Sequence, residues 1–139
     1  MKLLLEDLEM DAQLQRSASA VCSAAADLGE VLATGRRIGP GDYDNWFSEW
    51  ATLAEKTTQR AGESLQGDHP FSAARAFLRA TEYWRQAIFF IRHDLQDPRL
   101  SKGWRAHRAA FQAALPLLPW NATIAALSRK SGFGLPLER

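Results

Sequence analysis

Cysteine, surplus charge and long apolar runs are all scarce in this chain, and each scarcity removes a class of explanation. The single Cys22 excludes an internal disulfide framework. Set in an Ala/Ser-rich helical stretch, it reads as a small buried side chain in a reducing compartment. No stretch approaches the ~20 apolar residues that span a bilayer, and the opening MKLLLEDLEMD meets acid too soon for a secretion signal. The expectation is a cytoplasmic protein without a membrane partner. A net charge of +1 without a basic stripe argues against nucleic acid. The three histidines, His69, His93 and His107, lack ligand spacing, so no metal and no cofactor are expected. His93 instead reads as a dipole partner at a helix end. G-x-S-x-G, G-x-G-x-x-G, P-loop and H-E-x-x-H motifs are all missing, and no catalytic residue is assigned.

What is present is helical periodicity and many aromatics. Five Trp and seven Phe are concentrated between Tyr43 and Trp120 in a chain of 139 residues. Ser72–Asp94 reads as one long helix, capped by Ser72, with Phe77, Leu78, Trp84, Ile88, Ile91 and Leu95 on its core stripe. Ala73, Ala76, Ala80 and Ala87 form a small-residue row for a close neighbour. A helix this apolar should be enclosed. Before it, Ser17–Thr34 reads as a helix, following a lead-in over Met1–Gln15. Asp42 then caps a strongly amphipathic helix that ends near Leu65. A fourth main helix is expected over Ser101–Leu118, with Trp104, Phe111, Ala114 and Leu118 inward and Pro116 shortening its last turn. The fold class is all-α, four main helices plus an N-terminal lead-in helix, as a bundle over residues 1–122. Residues 123–139 read as an irregular tail.

Arg75, Arg79, Glu82 and Gln86 make the one coherent polar stripe of the central helix. Its simplest reading is a solvated face with Arg79–Glu82 and Glu82–Gln86 contacts. The sharper reading has Arg75 or Arg79 anchoring another domain or an acidic ligand. Tyr83 and Trp84 are adjacent, so one of them should be less buried. The aromatics exceed what a four-helix core requires, so some should line a pocket or an interface.

Three pieces in order carry a family resemblance: GPGDYDNWFSEWATLA at Gly39–Ala54, GDHPFSAARAFLRATEYWRQAIFF at Gly67–Phe90, and the aromatic segment Trp104–Ala113. Together they resemble the N-terminal helical region of an α/β-hydrolase family. That family includes the 2,6-dihydroxypseudooxynicotine hydrolases, the fungal heptaketide hydrolyases of pigment polyketide shortening, and the fermentation-respiration switch esterases. The Ser72–Ala87 segment is its most specific part. The resemblance implies a helical cap over a Ser-His-Asp domain that cleaves an ester or a carbon–carbon bond beside a ketone. No triad residue can be carried over, and the chain reads as stopping where the first hydrolase strand should begin. Gly132–Pro136 is a faint echo of the hairpin that opens such a domain. The partner implied is a hydrolase domain, missing or on a separate chain, and a small aromatic substrate only with that domain. Trp46, Tyr83 and Trp84 are the candidates for ring contacts. Arg75, Arg79, Phe89 and Phe90 are the interface candidates. The alternative is a stand-alone interaction module that self-associates through Phe89/Phe90 or Trp46/Trp50.

Overall fold

Five α-helices and two 3-10 turns, with no strand, make up residues 2–119, the part that the computed structural model describes. The expected all-α class holds. The helices are α1 (Leu8–Ser19), α2 (Leu28–Gly35), α3 (Tyr43–Gln66), α4 (Pro70–Ala87) and α5 (Pro98–Ala114). The tail expected over 123–139 lies outside the described residues.

The N-terminal half departs from the expected single helix over Ser17–Thr34. Helix α1 runs to Ser19, tightens into a 3-10 turn over Ala20–Ser23, and stops at Ala24, which is left-handed at φ 59°. Asp27 then caps α2 by accepting the Glu30 N–H at 3.0 Å. The break is stabilised from outside, because the Tyr83 hydroxyl of α4 accepts the Asp27 N–H at 2.9 Å. Ser17 is therefore a fully buried side chain inside α1 and caps nothing. Cys22, on the 3-10 turn, is exposed, contrary to the expected burial.

Asp42 caps α3 as expected, accepting the Asn45 N–H at 2.8 Å. The Asn45 carboxamide turns away from the cap and accepts the Gly39 N–H instead. The end of α3 is a Schellman turn: His69 N–H reaches Ser64 O at 2.8 Å and Asp68 N–H reaches Leu65 O at 3.2 Å. Its left-handed residue is Asp68, at φ 60°.

Helix α4 is the centre, flanked by α3 on one side and α5 on the other, with α1 against its C-terminal half. Its alanine row, Ala73, Ala76, Ala80 and Ala87, is buried as expected. Its start and end differ. His69 is the N-cap and Pro70 the first helical residue, so Ser72 is not the cap. Proline there has its φ preset and no N–H to leave unpaired. The helix ends at Ala87, not Asp94, and residues 88–97 wind through turns. A helix would set Phe90 and Ile91 ~100° apart. The turn instead lets both pack inward, with Phe90 stacked on Tyr43 at 4.6 Å and edge-on to Trp46 at 5.0 Å. Asp97 and Pro98 then start α5 three residues before Ser101.

Helix α5 meets α4 through its smallest residues, and this rotates it away from the expected register. Gly103, Ala110 and Ala114 are buried, whereas Trp104 and Phe111 are 52% and 44% exposed. A Cβ on Gly103 would lie 2.3 Å from the Ile88 Cγ2. At so close an approach a Trp or Phe does not fit between the helices. Pro116 ends α5 as expected, in a 3-10 turn over Leu115–Leu117.

Candidate functional site

The polar stripe of α4 divides: Arg75 stays exposed, while Arg79, Glu82 and Gln86 face neighbouring helices. Gln86 is fully buried; its amide donates to Gln13 O at 2.8 Å and to the Ser17 hydroxyl. Glu82 accepts from Ser17 at 2.7 Å and holds Arg85 through two hydrogen bonds of 2.7–2.8 Å. The expected Glu82–Gln86 contact is present at 3.4 Å, and Arg85 takes the place expected of Arg79. Arg79 turns to Glu30 of α2, Nε to Oε2 3.3 Å, and Arg60 reaches the same carboxylate at 3.5 Å. The solvated-face reading holds for Arg75 and is corrected for the other three: Arg79, Glu82 and Gln86 fasten α1 and α2 to α4. Apolar packing could not fix the register of such short helices as tightly as these directional bonds do.

The candidate ring-contact residues sit in one aromatic core. Trp46 is fully buried and donates its indole N–H to Gln86 O at 2.7 Å. Tyr83 is equally buried, its ring 5.8 Å from that of Trp50 and its hydroxyl donating to Glu30 at 2.7 Å. Burial, and then the Glu30 carboxylate, push the Tyr83 phenol well above its ordinary range. Trp84 is 3% exposed, so neither of the adjacent pair is the less buried one that was expected. Of the three, only Trp84 reaches a surface groove. Among the interface candidates, Phe90 is committed to Tyr43 and Trp46 and Arg79 to Glu30. Arg75 is exposed over the Phe71 ring, and Phe89 is partly exposed beneath Arg92, 3.9 Å from guanidinium to ring centre.

Among the described residues, apolar grooves open along the flank of α5. On its α3 side runs an apolar groove of about 580 Å³, with Phe77, Trp84, Ala106, Ala110 and Ala113 in its walls. On its other side, towards the 88–97 turns, lies a second groove of about 640 Å³, walled by Ile88, Phe89, Leu95, Leu100 and Trp104. Trp104 stands on the ridge and stacks on His107 at 5.5 Å. His107 Nδ1 lies 2.9 Å from Thr81 O, so it carries the proton and fixes the ring. Sequence reasoning placed Trp104, Phe111 and Leu95 in the core and missed this face. The signal available was the row Gly103, Ala110, Ala114, whose small residues mark a closer helix contact than Trp104 and Phe111 permit. No group of His, Cys, Asp or Glu among the described residues could hold a metal ion. No helix among them is long and apolar enough to cross a membrane.

Comparison with known proteins places this architecture. The 20-hydroxy-prefusarin hydrolase of Gibberella moniliformis is 34% identical over 93 residues, which are 67% of this chain and 22% of that protein. A hydrolase of a Fusarium species is 33% identical over 112 residues, 80% of this chain and 26% of the relative. An alpha/beta hydrolase of Xenoacremonium sinensis is 25% identical over 126 residues, 91% of this chain and 29% of the relative. The chain thus spans about a quarter of the length of the relatives it matches. No protein-family model and no solved structure matches it. The resemblance drawn from the sequence is met, and the chain is homologous to a portion of fungal hydrolases of the α/β-hydrolase family.

Proposed function

We propose that the chain acts as the helical cap of such a hydrolase, covering an active site that a catalytic domain supplies. The observation that carries this reading is the open flank of α5. Trp104 and Phe111 are exposed on it, and the groove beside it is apolar with Trp84 in its wall. At ~25 cal/mol per Å², covering a patch of several hundred Å² is worth several kcal/mol, enough to drive docking. In this reading the chain contributes enclosure: it excludes water from the reacting bond and strengthens the electrostatics beneath it. The nucleophile, its base and the oxyanion donors come from the other domain. Trp84 is the residue to meet a substrate ring, with Trp46 and Tyr83 fixing its position from within the same core cluster. The bond cleaved is an ester or a carbon–carbon bond beside a ketone, as in the family resembled.

The test is a chimaera in which this chain replaces the matching segment of the Gibberella moniliformis hydrolase. Retained hydrolysis of 20-hydroxy-prefusarin, lowered at least tenfold by Trp84→Ala, is the expected result. The isolated chain should be inert toward p-nitrophenyl acetate. Hydrolysis by the isolated chain that survives repurification would overturn the non-catalytic assignment. An inactive but folded chimaera, with the isolated chain dimerising through Trp104, would replace the cap by a self-associating module.

A further inference from the structure

The groove between α5 and the 88–97 turns has a charge pattern that its neighbour lacks. Its walls are largely apolar, with Phe89 and Trp104 as the two rings and Ile88, Leu95 and Leu100 as the aliphatic side chains. Three guanidiniums, those of Arg16, Arg85 and Arg92, stand in its lining, and no acidic side chain among the described residues joins them. Arg85 is neutralised by its two bonds to Glu82. Arg16 and Arg92 are exposed, and neither pairs with a carboxylate among the described residues. Arg92 lies over Phe89, 3.9 Å from guanidinium carbon to ring centre, a contact to the ring face that uses none of its N–H donors on a carboxylate.

From this we infer that the groove binds a small amphiphilic carboxylate, its apolar body between Phe89 and Trp104 and its carboxylate on Arg92 and Arg16. The charges require the carboxylate. An uncharged apolar ligand would cover two unpaired cations without replacing their water, whereas a carboxylate supplies charge-assisted hydrogen bonds to both. The size favours a small molecule, since about 640 Å³ falls within the range of ligand clefts. Leu95 supports the same assignment, because a leucine 79% exposed beside this groove gains cover only when something fills it. Every residue the site uses lies in this chain, and the assignment does not depend on the cap reading.

The test titrates the full chain with decanoate, and with 1-decanol as the uncharged molecule of the same body, by isothermal calorimetry. Decanoate should saturate a single site, and decanol should bind at least about tenfold more weakly, the worth of one good charge-assisted hydrogen bond. The double variant Arg16→Gln/Arg92→Gln should remove that difference, and added salt should shrink it. Trp104→Ala should weaken both ligands. Both arginines are exposed and without a carboxylate partner, so the variant should keep its helical circular dichroism. Equal affinities for the two molecules, an unaltered ratio in the double variant, or binding that never saturates would each overturn the proposal. None of these outcomes bears on the chimaera, which reads hydrolysis.

Discussion

The two flanks of α4 use the same kinds of residue in opposite ways. On the α1–α3 flank the aromatics are spent inside: Trp46, Trp50 and Tyr83 have no exposed surface, and Gln86, Glu82 and Glu30 tie the short helices to them. On the α5 flank the contact is made by glycine and alanine, and the large rings of Trp104 and Phe111 face outward. Side chains of similar size are thus structural on one flank and displayed on the other. A protein that needed only to fold would gain by turning α5 so that its aromatics face α4. That it does not argues that the α5 flank is shaped for something else to cover.

The sharpest way to break the comparison is to truncate one tryptophan from each flank. Trp50→Ala should lose about 3–5 kcal/mol, the cost of emptying a buried aromatic site. That is a large part of the 5–15 kcal/mol that holds a typical domain, so the variant should be close to unfolded. Trp104→Ala should lose less than about 1 kcal/mol. Urea denaturation of both variants decides it. Comparable losses would mean that Trp104 is buried in solution, and the flanks would not differ.

A smaller effect is expected at the α4–α5 contact. Gly103→Ala gains ~1 kcal/mol in helix propensity, yet its Cβ meets Ile88 Cγ2 at 2.3 Å. That methyl sits directly on a β-branched carbon and cannot swing aside without a rotamer change. The substitution should cost about 1–3 kcal/mol net, and Ile88→Ala should recover part of it in the double variant. Full additivity of the two substitutions would sink this account of the interface.

The N-terminal segment belongs to the well-tied flank and gives a pH-dependent version of the same test. Asp11 is 2% exposed and accepts the N–H groups of Leu3, Leu4 and Leu5 at 2.7–2.8 Å, together with the Gln15 amide. Burial alone would raise its pKa. The backbone donors outweigh it and hold the carboxyl at about 2, below its ordinary 3.8. A depressed folded-state value means that stability is fully present above pH 4 and is lost as pH falls from 4 through 2. The expected loss is about 1–2 kcal/mol. It should be absent in Asp11→Ala, whose stability should run flatter between those pH values in paired urea titrations.

Much of this was legible in the chain, and the misreadings share a cause. The Asp42 cap, the amphipathic α3, the enclosed α4 and its alanine row follow from periodicity, because each is decided by residues close in sequence. The break between α1 and α2 is also written locally, as the D-x-x-E pattern of Asp27 and Glu30, but Val21, Ala24, Ala25, Leu28, Val31 and Leu32 keep helical spacing straight through it. The end of α4 is decided by partners 44 and 47 residues away, where Phe90 finds Trp46 and Tyr43. The same holds for the stripe Arg79–Glu82–Gln86, polar in composition and shielded from water only because α1 and α2 bring Ser17 and Glu30 to it. On α5 the rule that aromatics face inward gave the wrong side, since the approach of α4 is set by Gly103.

The smallest effect compares two glycines. Gly62 lies within α3 as Gly103 lies within α5, but a Cβ there meets none of the described residues within 4 Å. With no neighbour to displace, Gly62→Ala should keep the propensity gain of about 0.5–1 kcal/mol and raise the melting temperature by a few degrees. The same substitution then stabilises at one glycine and destabilises at the other, and only the neighbouring helix separates them. Helix propensity is fixed by the backbone state and is equal at both sites, so the difference in sign measures the α4–α5 contact by itself. A loss of stability at Gly62 would mean that a surface is packed against α3 in solution. The region for a partner to cover would then extend beyond the α5 flank.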